Sequence, residues 1–155
     1  MSIRSIVSKQ YREKVNQVAL QLQGIALPPE GWLCTMRKAL GMSAAQLARR
    51  LKKTRALISH TEKAELSGGV TLKTMQALAE GMSCRFVYAI VPEKSVQDIL
   101  EIRAKEKAQK RVLESSKHMA LEKQSLTKKQ ITFEVERLQQ EMLKDMPSDF
   151  WNDES

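Results

Sequence analysis

Two helix starts stand eleven residues apart in the segment MSAAQLARRLKKTRALISHTEK, Met42 to Lys63, and this spacing restricts the chain more than any other feature. Ser43 followed by Gln46 has the form of a capping box, in which the Ser hydroxyl accepts from a free first-turn N–H and the Gln side chain reaches back to the cap amide. Thr54 can cap a second helix directly after Lys52 and Lys53. Leu47, Ala48 and Leu51 fall on one face of the first helix, and Leu57, Ile58 and Thr61 on one face of the second. Two short helices joined this tightly must cross on their inner faces, with the small Ala48 near the crossing. The expected local fold is a helix-turn-helix.

Charge then says what the outer face of such a pair would meet. Between Trp32 and Lys63 there are eight cations, Arg37, Lys38, Arg49, Arg50, Lys52, Lys53, Arg55 and Lys63, against the single acid Glu62. The whole chain has a formal net charge of +8, so this segment carries nearly all of the imbalance, while the closing DMPSDFWNDES is acidic throughout. A strongly basic structured segment points to a polyanionic partner. In a helix-turn-helix the second helix lies in the major groove of double-stranded DNA with its first residues at the base edges. Its outward positions here are Arg55, Ala56, Ser59, His60 and Lys63. Arg can pair bidentately with guanine, Ser and His can bond either base type, and the Ala methyl can meet a thymine methyl. Lys52 and Lys53 are expected over phosphates, which adds affinity without reading sequence. Ser43 and Thr54, at the two helix starts, complete the expected DNA-contacting set.

Beyond this core the chain, 155 residues long, divides into three expected parts: a helical arm over 1–28, a compact domain over 29–92 and a helical extension over 93–155. Ile3, Ile6, Val7, Tyr11, Val15, Val18 and Leu22 recur at helical steps in the first part. LPPEGW breaks that pattern, and Trp32, Phe86 and Tyr88 are expected in the core. The run RFVYAIV, ended by Pro92, reads as a short strand, whose exposed edge would pair readily with a copy of itself. The last part reads as two polar helices with thin apolar sides. Its basic stretch over 105–111, interleaved with Glu101, Glu106 and Glu114, is expected as a solvated face, and Phe150 and Trp151 either anchor to a partner or remain unstructured. Overall the fold class is mainly α.

Several functional classes find no support in the residues. Cys34 and Cys84 are far apart and lack the close companions of a zinc site, so they are expected as packing thiols, with no metal and no cofactor. His118 has no neighbouring ligand or acid. Without a Gly-rich phosphate loop or clustered carboxylates in the centre, an enzyme is not expected. The polar start MSIRSIVSKQYREK and the lack of a long apolar run point to a cytoplasmic protein with no membrane contact.

MRKALGMSAAQLARRLKKTRALISHTEK followed by TLKTMQALAEGM resembles the Xre/Cro type of repressor domain over roughly Trp32 to Met82, about a third of the chain. That resemblance implies five helices, sequence-specific operator binding and repression of transcription, with a homodimer on an inverted repeat. The sequence departs from the usual pattern at several points. Ala44 stands where a phosphate-binding Gln is common, Lys52 and Lys53 replace Gly and Val of the turn, and Thr61 replaces a larger apolar residue. Ala64 stands where a Gly usually ends the recognition helix, and AELSGG reads as a slightly long loop. The amino-terminal arm, LISHTEKAE, GVTLKTMQALAEGM and RFVYAIVP together resemble the mobile mystery protein A group, whose members are encoded beside a Fic-domain partner. This implies an antitoxin and autoregulator of a Fic-type toxin operon. Fic inhibition by a helix carrying Ser or Thr, three residues, then Glu would place Thr132 and Glu136 in the inhibitory role, although Arg137 follows where a small residue is usual. The plainer reading of Glu136 is a solvated charge beside the Ile131, Val135, Leu138, Met142 stripe. An alternative for the whole chain is a protein-interaction module that neutralises its partner through the carboxyl-terminal arm with little specific DNA binding.

Overall fold

The structure, a computed structural model, describes residues 2–122 and 126–153. Among these residues it holds seven α-helices and no strand. They are α1 (Ile3–Gln21), α2 (Trp32–Ala39), α3 (Ala44–Leu51), α4 (Arg55–Ser67), α5 (Leu72–Gly81), α6 (Val96–Leu121) and α7 (Lys128–Lys144). The chain forms two compact units: Leu22–Ala89, and Met1–Gln21 together with Ile90–Ser155.

The unit over Leu22–Ala89 holds four helices, α2 to α5, where the resemblance implies five. Local side-chain chemistry starts three of them. Ser43 and Gln46 make the complete capping box on α3, and Thr54 and Thr71 accept from Leu57 N and Thr74 N at the starts of α4 and α5. Each such cap contributes about 1 kcal/mol. The α4 helix does not end at Ala64. Without a glycine there it continues to Ser67 and stops at Gly68, whose φ of 80° is open to glycine at little cost. Much of the expected AELSGG loop is therefore helix.

That extra turn has a structural use. It carries the Glu65 carboxylate to the start of α2, where it accepts from Trp32 N at 2.7 Å and Leu33 N at 2.9 Å. The α2 N-cap is Gly31, which has no side chain to do this itself. A Cβ at Gly31 would lie 3.0 Å from the Glu65 carboxyl, so the missing side chain also makes room for the cap.

Leu33, Leu47, Ala48, Ile58, Met75, Leu78 and Met82 form the core of this unit, with Phe86 partly buried against it. Burial of Leu47 and Ile58 contributes roughly 2 kcal/mol each. Thr61 is buried as expected, its hydroxyl donating to Leu57 O at 2.7 Å. Three expectations fail here. Trp32 and Tyr88 are exposed rather than core, and Leu57 faces outward, because the inner side of α4 runs through Ile58, Thr61 and Glu65 at steps of three and four. The expected strand after the domain is also not formed. A strand is held by a neighbour's backbone, and no backbone group of residues 85–91 is hydrogen-bonded among the described residues.

In the other unit α6 and α7 pack as an antiparallel pair: Leu100 and Ala104 meet Met142, while Ala108 and Val112 meet Val135. Ala104 and Ala108, both fully buried, let the two helices approach closely at a step of four. The start of α6 is held by Asn16 of α1, which accepts from Val96 N at 2.9 Å and donates to Gln97 Oε1 at 2.8 Å. Phe150 is 1% exposed and completes the Leu100, Ala104, Met142 cluster, so the closing aromatics anchor within the chain. Trp151 packs edge-on against Phe150 at 5.0 Å, with the Arg103 guanidinium 5.9 Å from its ring.

Candidate nucleic-acid interface

Helix α4 divides its residues between two faces. Ile58 and Thr61 enter the core, Glu62 and Glu65 are bonded to α2, and Arg55, Ala56, His60 and Lys63 are exposed with Ser59 half-buried. The turn before it exposes Lys52, Lys53 and Thr54. The predicted DNA-facing residues of α4 and its turn thus share one side of this unit. Ser43 is exposed too, but its hydroxyl accepts from Gln46 N at 3.1 Å, and the Thr54 hydroxyl accepts from Leu57 N at the same distance. Both are first of all caps.

The lone acid of the basic segment is turned away from this face. Glu62 accepts from Arg37 Nε at 2.6 Å and Nη2 at 3.1 Å, and Arg37 also donates to Met42 O at 3.0 Å. The hydrogen bonds to Glu62 raise the Arg37 pKa above its ordinary value. Lys38 is likewise paired, with Glu30 at 2.8 Å. Arg37 is therefore committed within this unit, whereas the Lys38 pair is an exposed one of little strength. By contrast, Lys52, Lys53, Arg55, His60 and Lys63 have no ion-pair partner among the described residues. The internal pairing separates the charges, leaving an outer α4 face that bears only positive charge. In the sequence Arg37 and Glu62 register only as net charge, and the signal of their pairing is that a cation and an acid both fall on inward helix positions.

Lys52 holds this turn in an unusual conformation. It ends α3 at φ 55° and ψ 44°, the left-handed region, where a side chain costs about 1–2 kcal/mol relative to glycine. Glycine is the common residue of this turn in the resembled family, so a cation stands where backbone comfort favours none. Lys52→Gly is expected to raise unfolding free energy by about 0.5–1 kcal/mol, the gain being trimmed by the freer unfolded chain, and to weaken duplex DNA binding. Denaturant unfolding and DNA titration of the same variant check both signs.

The residues considered for partner inhibition lie in the other unit. Thr132 and Glu136 are exposed one turn apart on α7, and the Thr132 hydroxyl donates to Lys128 O at 3.0 Å. Both border a groove of about 640 Å³ whose other walls include Lys105, Gln109 and Leu113 of α6. Arg137 is paired instead with Glu134 at 2.9 Å and Glu141 at 3.1 Å.

The basic stretch of α6 is only in part the solvated face expected of it: Lys105, Glu106 and Lys110 are exposed, while Lys107 and Arg111 are drawn inward. Arg103, Lys107 and Arg111, at successive steps of four, hold the tail. Arg103 donates to Phe150 O and Asn152 O, both at 2.8 Å, Lys107 donates to Asp149 O, and Arg111 pairs with the Asp149 carboxylate at 3.0 Å. Lys107 is 7% exposed. Interleaved acids suggested solvation, but the one-turn ladder of cations and the acidic DFWND were the matching signals.

Among the described residues no group of three or more His, Cys, Asp or Glu could hold a metal, and no helix is long and apolar enough to cross a membrane. Cys34 and Cys84 are both free thiols, the first donating to Glu30 Oε2 and the second to Met82 O, each at 3.4 Å, and burial raises the pKa of Cys34. No family model matches this chain, and no curated protein or solved structure matches it.

Proposed function

We propose that the chain is a sequence-specific, DNA-binding transcriptional repressor of the Xre/Cro helix-turn-helix type, acting in the cytoplasm as a two-fold dimer. The observation that supports this reading most is the outer face of α4 and its turn: Lys52, Lys53, Arg55, His60 and Lys63 are unpaired there, while the acids of the same helix are bonded inward. Arg55, Ala56 and Ser59 are the base-reading candidates, and the lysines bind phosphate. One module reads a half-site, so the operator is an inverted repeat with half-sites about one helical turn apart. Titration of the protein against the duplex upstream of its own gene tests the proposal. Binding is expected to exceed that to an unrelated duplex by about 10³-fold or more and to weaken steeply as salt rises. Equal affinity for both duplexes would leave only nonspecific charge attraction.

We further propose that the repressor is the antitoxin of a Fic-domain partner, with α7 as the contact element. The resemblance stated above supports this, as does the placement of Thr132 and Glu136 together on an exposed α7 face with Arg137 engaged elsewhere. If Glu136 enters the partner's nucleotide pocket, Glu136→Gly releases adenylylation activity while the complex persists. Inhibition by Glu136→Gly equal to that by the unaltered protein would return Glu136 to the solvated surface. The interaction-module alternative differs in one observable, since it predicts partner capture without operator preference.

A further inference from the structure

Residues 85–91, RFVYAIV, combine strong strand preference with full backbone availability. None of their N–H or C=O groups is hydrogen-bonded among the described residues. Val87 is 68% exposed, Tyr88 71% and Ile90 90%, an uncovered apolar run of a kind that soluble chains rarely leave open. The Phe86 and Tyr88 rings stack at 5.7 Å, the two-residue relation of extended chain, and Phe86 rests on the Leu22–Ala89 core. The segment is shaped as a strand and lacks its neighbour.

We propose that this neighbour is the same segment of a second copy, paired antiparallel about Ala89. The inference rests on the two-fold dimer proposed above and names its interface. Charge and proline select the register. Arg85 and Glu93 flank the segment, and neither has an ion-pair partner among the described residues. Centred on Ala89, the antiparallel pairing sets Arg85 opposite Glu93 of the other copy, Val87 opposite Val91 and Tyr88 opposite Ile90. Two-fold symmetry makes each pair occur twice. Centring on Tyr88 sets Arg85 against Val91, and centring on Ile90 sets Val87 against Glu93, so both lose the charge match. With Ala89 facing its own copy as a hydrogen-bonded pair, the odd-numbered residues exchange N–H···O bonds across the dimer and the even-numbered ones point theirs outward. Pro92, which has no N–H to give, then falls on the outward set, where a proline is tolerated. Slipping by one residue would set Arg85 against Pro92 or Phe86 against Glu93 and put the Phe86 rings of the two copies on opposite faces of the ladder, so the charge match is lost there too.

Cross-linking and charge exchange test the register. In a Cys34→Ala/Cys84→Ala background, Ala89→Cys is expected to give a disulfide-linked dimer under mild oxidation, since a facing pair has Cα atoms about 5.5 Å apart, inside the disulfide range. Val87→Cys is expected not to, its two copies lying about 13 Å apart along the ladder. In the unmodified background, Arg85→Glu is expected to raise the dimer dissociation constant on the order of tenfold by placing two acids opposite each other twice, and Arg85→Glu/Glu93→Arg to restore it. Cross-linking by Val87→Cys as readily as by Ala89→Cys overturns the register, as does a dissociation constant unmoved by Arg85→Glu. A dimer that survives Ala89→Pro undiminished overturns the strand interface and moves the contact elsewhere, for instance to the exposed Ile3, Ile6, Val7 and Tyr11 of α1, while the dimeric DNA-binding reading stands. A monomer at micromolar concentration, free and on DNA, overturns both.

Discussion

Arg37→Ala is expected to lower the unfolding free energy of the Leu22–Ala89 unit by about 3 kcal/mol, the largest loss foreseen for a single side chain there. The Arg37 and Glu62 side chains are only 13% and 12% exposed, and Arg37 serves both carboxylate oxygens of Glu62 as well as Met42 O. Removing the cation strands a carboxylate in a place that water scarcely reaches, and the desolvation cost of that group dominates the loss. The same reasoning fixes a second arm. In Arg37→Ala/Glu62→Ala no charge is stranded, so the double variant should be less destabilised than the sum of its singles by about 1.5–3 kcal/mol. Urea unfolding followed by the fluorescence of Trp32, with Trp151→Phe to silence the other tryptophan, reads this unit by itself. Strict additivity of the two single variants would mean that the pair is no more than a surface contact.

What was legible in the sequence was what is decided locally. The Ser43 and Gln46 box and the Thr54 cap each act over three residues, so their spacing announced α3 and α4, and the helical period put Leu47, Ala48 and Ile58 inside. The cationic outer positions of α4 followed from the same geometry. What escaped depends on partners far along the chain. Glu65 caps a helix that starts 33 residues earlier, and Arg37 finds Glu62 at a separation of 25. Composition registers such pairs only as opposite charges. Trp32 was misplaced because size and aromaticity argue for burial while position decides it: as the first residue of α2, it gives its N–H to Glu65 and leaves its ring half-exposed. Phe150 shows the reverse, a residue near the end of the sequence that is buried against Leu100, Ala104 and Met142, its carbonyl bonded by Arg103 at a separation of 47 and the adjacent Asp149 by Lys107 and Arg111 at separations of 42 and 38. The strand reading of residues 85–91 rested on side-chain preference alone, which selects an extended backbone but cannot supply the second backbone that makes a strand.

If the outer face of α4 reads DNA sequence, as proposed, Arg55 is the residue placed to show it most sharply. Arg55 opens the helix, is exposed, and has no ion-pair partner among the described residues, so its guanidinium is available to a guanine edge when the helix enters the major groove. Arg55→Ala should therefore weaken operator binding by about 1–3 kcal/mol and do so unevenly, erasing the preference at one base pair of each half-site while the others keep theirs. A phosphate contact would behave differently, weakening every duplex alike and flattening the salt dependence. The most direct measurement is the affinity of the unaltered protein and of Arg55→Ala for a set of duplexes carrying each single base-pair change in the operator. Arg55→Ala is expected to bind the operator more weakly and no longer to distinguish the four bases at one position of each half-site; equal affinities of the two proteins across the whole set would rule out a base contact by Arg55.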